Sequence, residues 1–92
     1  MLKMTWALSG QHVDEWTGDD FDEAVGAFRL DATETLYGLG MDAARESVFF
    51  ENFIDPIEAL LAEQGRAAVE SGNEWSASIG PIFVHLAPAG HA

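Results

Sequence analysis

Hydrophobic and polar positions change period several times along the chain, and each change marks an element. Lys3 to Leu8 alternates weakly and holds Thr5 and Trp6, which predicts a short strand. Ser9 to Gly18 is polar and turn-rich. Phe21, Ala24, Val25 and Phe28 then recur at i, i+3, i+4 and i+7, one apolar stripe of a helix. Thr17 is its expected N-cap, with Asp19 and Asp20 in the first turn. Trp16 at N′ is placed to pack on Phe21 at N4 as a hydrophobic staple. Arg29 near the far end complements the helix dipole, and Gly26 weakens the helix by roughly 1 kcal/mol relative to Ala.

The middle of the chain is less decided. Thr and Tyr in Thr33 to Leu39 favour a strand, which Gly38 and Gly40 then break. Asp42 is a cap for a second helix through Ala43, Ala44 and Arg45. The apolar run Val48-Phe49-Phe50, with Phe53 and Ile54, either ends that helix or forms a buried strand, and periodicity does not separate the two. Asp55-Pro56-Ile57-Glu58 reads as a helix start. Asp is the N-cap, Pro at N1 loses no hydrogen bond, and Glu at N3 closes a capping box. Ile57, Leu60 and Leu61 continue as its buried stripe, and Gly65 is expected at C′.

Beyond Gly65, residues 66–79 read as a β-hairpin around Ser71-Gly72-Asn73. The rival is a helix running from Pro56 to Ser71 with Gly72 at C′. Gly80-Pro81 is a turn, and Ile82, Val84 and Leu86 alternate on one face of a last strand. The elements predict an α+β fold, a small, mostly antiparallel sheet with two or three helices packed on one face. The whole chain, 1–92, is expected to be a single domain with a frayed tail over 87–92.

Composition narrows the function. Four Lys and Arg stand against sixteen Asp and Glu in 92 residues, a net charge of −12. That exceeds the magnitude of about 2–8 that keeps a small domain soluble. Lys3, Arg29, Arg45 and Arg66 are scattered singly, which argues against direct binding to nucleic acid or an anionic membrane. A basic protein surface, by contrast, is attracted. The 48% apolar content excludes an acidic disordered tail, and the absence of Cys excludes disulfide staples and cysteine chemistry. No apolar run approaches a membrane span or a secretory leader, so a cytoplasmic protein is expected.

Motifs for chemistry are sparse. His12, His85 and His91 show no i, i+4 pairing, and the acids show no EF-hand spacing, so no metal and no cofactor is expected. The serines lack a nucleophile-elbow context, and Gly38-Leu39-Gly40 lacks the rest of a dinucleotide fingerprint, so an enzyme is not expected. What stands out is Asp14, Glu15, Trp16, Asp19, Asp20, Asp22 and Glu23, six carboxylates and a tryptophan in ten residues. These seven are the candidate partner-binding residues, with Trp16 as the possible anchor. Trp16 and Trp75 are core residues on the plainer reading. Acids elsewhere lack the compensating bases that helices carry at i+4, and their repulsion costs stability, so a benefit from the excess is expected. A carboxylate every few residues approximates the charge density of a nucleic-acid strand, about one charge per 1.7 Å of duplex axis.

In size, charge and lack of catalytic motifs the chain resembles small acidic phage-type inhibitors, nucleic-acid mimics and particularly anti-CRISPR proteins. The resemblance implies a non-enzymatic inhibitor that blocks a nucleic-acid-binding surface, on a CRISPR effector complex or another nucleic-acid-binding machine, without touching nucleic acid itself. It carries no residue roles and no fold. The alternative is an acidic accessory module of the immunity or antitoxin kind, either a monomer or a homodimer through Phe49, Phe50 and Phe53.

Overall fold

Leu2, Met4, Trp6 and Leu8 point to one side of a strand, β1 (Leu2–Leu8), and all four are buried. The computed structural model describes residues 1–88. Gly10 turns the chain at φ +72°, a left-handed conformation that favours glycine. The Gln11 amide closes the turn on the Leu8 carbonyl at 2.9 Å. The chain returns as β2 (His12–Gly18), antiparallel to β1 with Met4 opposite Trp16 and Trp6 opposite Asp14. Most of the polar segment read as turn is therefore strand.

Asp20, in extended conformation, accepts the Asp22 amide at 2.8 Å and starts α1 (Phe21–Gly38). This corrects the expected cap at Thr17. Trp16 lies in the strand and makes no staple, and its ring folds over Gly18, where a Cβ would meet it at 2.5 Å. The predicted stripe holds for Ala24 and Phe28 and continues through Ala32 and Leu36, all buried. Thr33 to Leu39 is thus the end of the helix and not a strand. Thr33 and Glu34 are exposed, and the Thr33 hydroxyl donates to the Arg29 carbonyl at 2.8 Å.

Asp42 caps the next helix as expected, accepting the Arg45 amide at 2.8 Å. That helix, α2, runs unbroken over 43–70. Its α-helical stretches Ala43–Phe49, Asp55–Leu60 and Arg66–Glu70 are joined by π-helical turns at Phe50–Ile54 and Leu61–Gly65. Asp55-Pro56 therefore does not begin a helix. Pro56 has no amide to donate, and the wider turn just before it accommodates the loss, with the Asp55 amide reaching back to the Phe50 carbonyl. Ile54, Ile57 and Leu61 form one buried stripe across the proline. Gly65 lies inside the helix and not at its end. It is buried, with the Trp75 ring 3.4 Å and Leu86 3.5 Å from where a Cβ would stand. The hairpin expected over 66–79 gives way to the rival reading: the helix continues to Glu70, and Gly72 turns the chain at φ +80°.

The last two strands, β3 (Trp75–Ile79) and β4 (Ile82–Pro88), join through Gly80-Pro81, with Ile79 paired to Ile82. Ala87 and Pro88 belong to β4, opposite Lys3 and Leu2, so the expected tail does not start at 87. Its remainder, 89–92, lies outside the described residues. The sheet is wholly antiparallel in the order β2-β1-β4-β3. Both helices cover one face, where Phe28 meets Trp6 edge-on at 5.5 Å. Burying a side chain like Phe28 contributes about 1.5–3 kcal/mol. Arg29 ties the two helices together, 3.0 Å from Asp55 and 3.1 Å from Glu58. Among the described residues, no helix is long and apolar enough to cross a membrane.

Candidate functional site

On β2 the positions that share a face with the buried residues of β1 are His12, Asp14, Trp16 and Gly18. An edge strand at the rim of the helical layer does not need an apolar inner face, and β2 uses that freedom. Between β2 and α1 lies a cleft of about 210 Å³, lined by Met4 and Trp6 from β1, Asp14 and Trp16 from β2, and Leu30, Asp31 and Glu34 from α1. Aromatic walls and carboxylates thus share one hollow.

Trp6 organises its inner end. Its indole is 2% exposed, so its N–H requires a partner within the protein. That partner is Asp31, with Nε1 donating to Oδ2 at 2.5 Å. His12 Nε2 lies 3.1 Å from the same oxygen, and the His12 ring packs against the Trp6 ring at 5.2 Å. Asp14 completes the group: donor atoms of His12, Asp14 and Asp31 all lie within 4.8 Å of one another. Burial pushes the Asp31 carboxyl upward. Hydrogen bonds from Trp6 and His12, together with the nearby His12 charge, outweigh it and hold Asp31 below the ordinary carboxylate range.

Two ionised carboxylates at this range repel by roughly 3–4 kcal/mol at an effective dielectric of about 20, less what solvent screens. None of the four basic side chains offsets it. Lys3 is paired with Glu15, Arg29 with Asp55 and Glu58, Arg45 with Asp42, and Arg66 with Asp22. His12 is the only potential cation in contact with the pair among the described residues. The inner end of the cleft therefore carries negative charge that no Lys or Arg offsets.

The seven residues singled out from the sequence do not form one patch. Asp14 and Trp16 face the cleft. Glu15 alternates to the opposite face of β2, where its carboxylate lies 3.6 Å from Lys3, although it too borders the cleft. Asp19 sits 3.4 Å from the N-terminal amine, and Asp20 is consumed as a helix cap. Asp22 turns to Arg66, whose guanidinium also covers the Phe21 ring at 4.5 Å. Glu23 is exposed and has no ion-pair partner among the described residues. The residues the sequence did not single out are Trp6, His12, Asp31 and Glu34. Asp31 borders the apolar stripe three residues after Phe28, and His12 and Asp14 stand two apart on a strand; neither spacing is distinctive alone.

The other aromatic expectations divide. Trp75 is half-buried and packs on Gly65, which makes it part of the core. Phe50 lies under the Arg29 guanidinium at 5.4 Å, and Phe53 pairs edge-on with Phe49 at 4.9 Å. Comparison with protein-family models, curated proteins and solved structures gave no match.

Proposed function

We propose that the protein is a non-enzymatic, cytoplasmic inhibitor of the anti-CRISPR type, which docks on a basic surface of a nucleic-acid-handling protein and keeps nucleic acid off it. The observation that carries this reading is the allocation of charge. Every basic side chain is held by an acid, whereas Glu23, Glu34, Glu46, Glu51, Glu63 and Glu70 have no ion-pair partner among the described residues. On α1, Glu23, Asp31 and Glu34 follow at eight- and three-residue steps. This places them along one side of the helix, with Asp31 and Glu34 lining the β2 cleft. Such a stripe attracts a cationic groove and repels polyphosphate.

The test is competition. Labelled DNA or RNA is bound to purified CRISPR effector complexes and other basic nucleic-acid-binding proteins, and the chain is added. The expected result is displacement from at least one of them, weakened as salt rises from about 50 to 200 mM. The double variant Glu23→Gln/Glu34→Gln should lose most of the effect. Displacement that ignores both salt and these substitutions would remove the reading.

A second reading draws on the hollow of about 370 Å³ lined by Met41, Ala44, Arg45, Val48, Phe49 and Phe53, with Val48 56% exposed. It favours an accessory homodimer joined through α2. Sedimentation equilibrium separates the two, since a monomer at high micromolar concentration removes the dimer.

A further inference from the structure

The charge imbalance at the inner end of the cleft has a definite chemical shape. We infer that His12, Asp14 and Asp31 form a binding site for a divalent transition metal of the Zn²⁺ class. The inference does not depend on the inhibitor reading, because it rests on the donor set and its geometry alone.

One imidazole nitrogen and two carboxylate oxygens are the donors. Zn²⁺ binds these at about 2.0–2.2 Å, so a tetrahedral ion holds neighbouring donors roughly 3.3–3.6 Å apart. His12 Nε2 and Asp31 Oδ2 are already 3.1 Å apart, and all three groups fall within 4.8 Å. Small rotations about side-chain bonds therefore complete the arrangement. The scaffold is rigid: His12 and Asp14 occupy same-face positions of a strand locked to β1, and Asp31 sits on the helix that packs over it.

The surroundings are those of a supported site. The Trp6 N–H donates to the same Asp31 oxygen, Oδ2, and so holds the carboxylate in place, and the Trp6 ring packs against His12. Groups that orient ligands in this way tune metal affinity. A cation also relieves the contact between Asp14 and Asp31, which no Lys or Arg approaches. Asp14 and Asp31 both line the cleft, where Glu34 lies three residues beyond Asp31 on α1, so a further ligand has a route to the ion from that side. The imidazole donor argues for a borderline metal. Ca²⁺ takes six to eight oxygens and Mg²⁺ a near-octahedral oxygen shell.

The full chain, stripped with chelator and dialysed, is titrated with ZnCl₂ by calorimetry and with Co²⁺ by visible absorption. The expected result is one equivalent of Zn²⁺ and the d–d bands of four- or five-coordinate Co²⁺. His12→Gln and Asp14→Asn should each weaken binding by at least about 10–100-fold, the range reached even by changes outside the ligand shell. Circular dichroism of both variants checks that they are folded, and neither removes the Trp6 partner. Glu70→Gln, on the far end of α2, should bind as the parent does. The inference is overturned by non-saturable or multi-site binding, by unchanged affinity in His12→Gln, or by equal competition from Ca²⁺ or Mg²⁺.

Discussion

Replacing Asp31 by Ala removes the acceptor of a buried indole N–H and tests the centre of the site. Trp6 is 2% exposed, so water does not replace Asp31 without opening the core. A hydrogen bond to a charged acceptor contributes about 1.5–3 kcal/mol, and an orphaned buried donor costs about 1–3 kcal/mol. These are two descriptions of one loss and do not add. The same substitution also relieves the contact with Asp14, which works in the opposite direction. The informative quantity is therefore the coupling between positions 6 and 31, obtained from Trp6→Phe, Asp31→Ala and the double variant. Phe has no N–H to orphan, so Asp31→Ala should cost about 1.5–3 kcal/mol less in that background. For a domain of this size, that is a difference in Tm shift of roughly 6–24 °C. Urea denaturation in chelated buffer, followed by far-ultraviolet circular dichroism, measures it without relying on tryptophan emission. A coupling below about 0.5 kcal/mol would show that Asp31 does not satisfy the indole.

The turn at Gly80 combines two costs that Gly10 separates. Both have positive φ, but a Cβ at Gly80 would clash with the Phe53 ring while one at Gly10 meets nothing within 4 Å. Gly10→Ala should cost about 1–2 kcal/mol from conformation alone. Gly80→Ala should cost a further 1–3 kcal/mol or so from overpacking, and equal urea midpoints would refute the contact. Asp31 also sets an acid limit. Its carboxyl is held below its unfolded value, so its contribution is fully present above about pH 4–5 and is lost as pH falls through the folded value. In chelated buffer the stability gap between parent and Asp31→Asn should therefore narrow as pH falls from about 5 to 2.5, and a gap that stays constant would contradict the assignment.

How much of this was readable in the sequence depends on which surface each residue meets. The α1 stripe was visible because Phe21, Ala24, Val25 and Phe28 all serve one core. Strand β2 was hidden for the converse reason. Its inward positions Asp14 and Trp16 line a cleft and His12 packs beside Trp6, so the residues that make the candidate site also erase the alternation that identifies a strand. Asp55-Pro56-Ile57-Glu58 has every local mark of a helix start, yet burial of Ile54, Ile57 and Leu61 on one line overrides it. Gly65 was misread at the same step, because its lack of a side chain serves Trp75 and Leu86 and not a cap. Asp14 stood out in the sequence through the company of neighbouring acids, most of which turn elsewhere. Asp31 joins it only through strand register and helix placement, and spacing along the chain holds no trace of that meeting.

The strand order leaves β2 and β3 as the two borders of the sheet. Asp14 and Glu15 guard the first, since a neighbouring strand would have to lie against their charges. The second, Trp75 to Ile79, carries no charged side chain at all. Long-range repulsion is then its main defence against self-association, and that defence depends on ionised carboxylates. Near the isoelectric point of about 4.2, or in concentrated salt, it fades. Aggregates formed under those conditions would grow by adding strands at β3, so the acidity that we propose draws a partner to one side of the molecule also keeps the opposite side from finding its own kind.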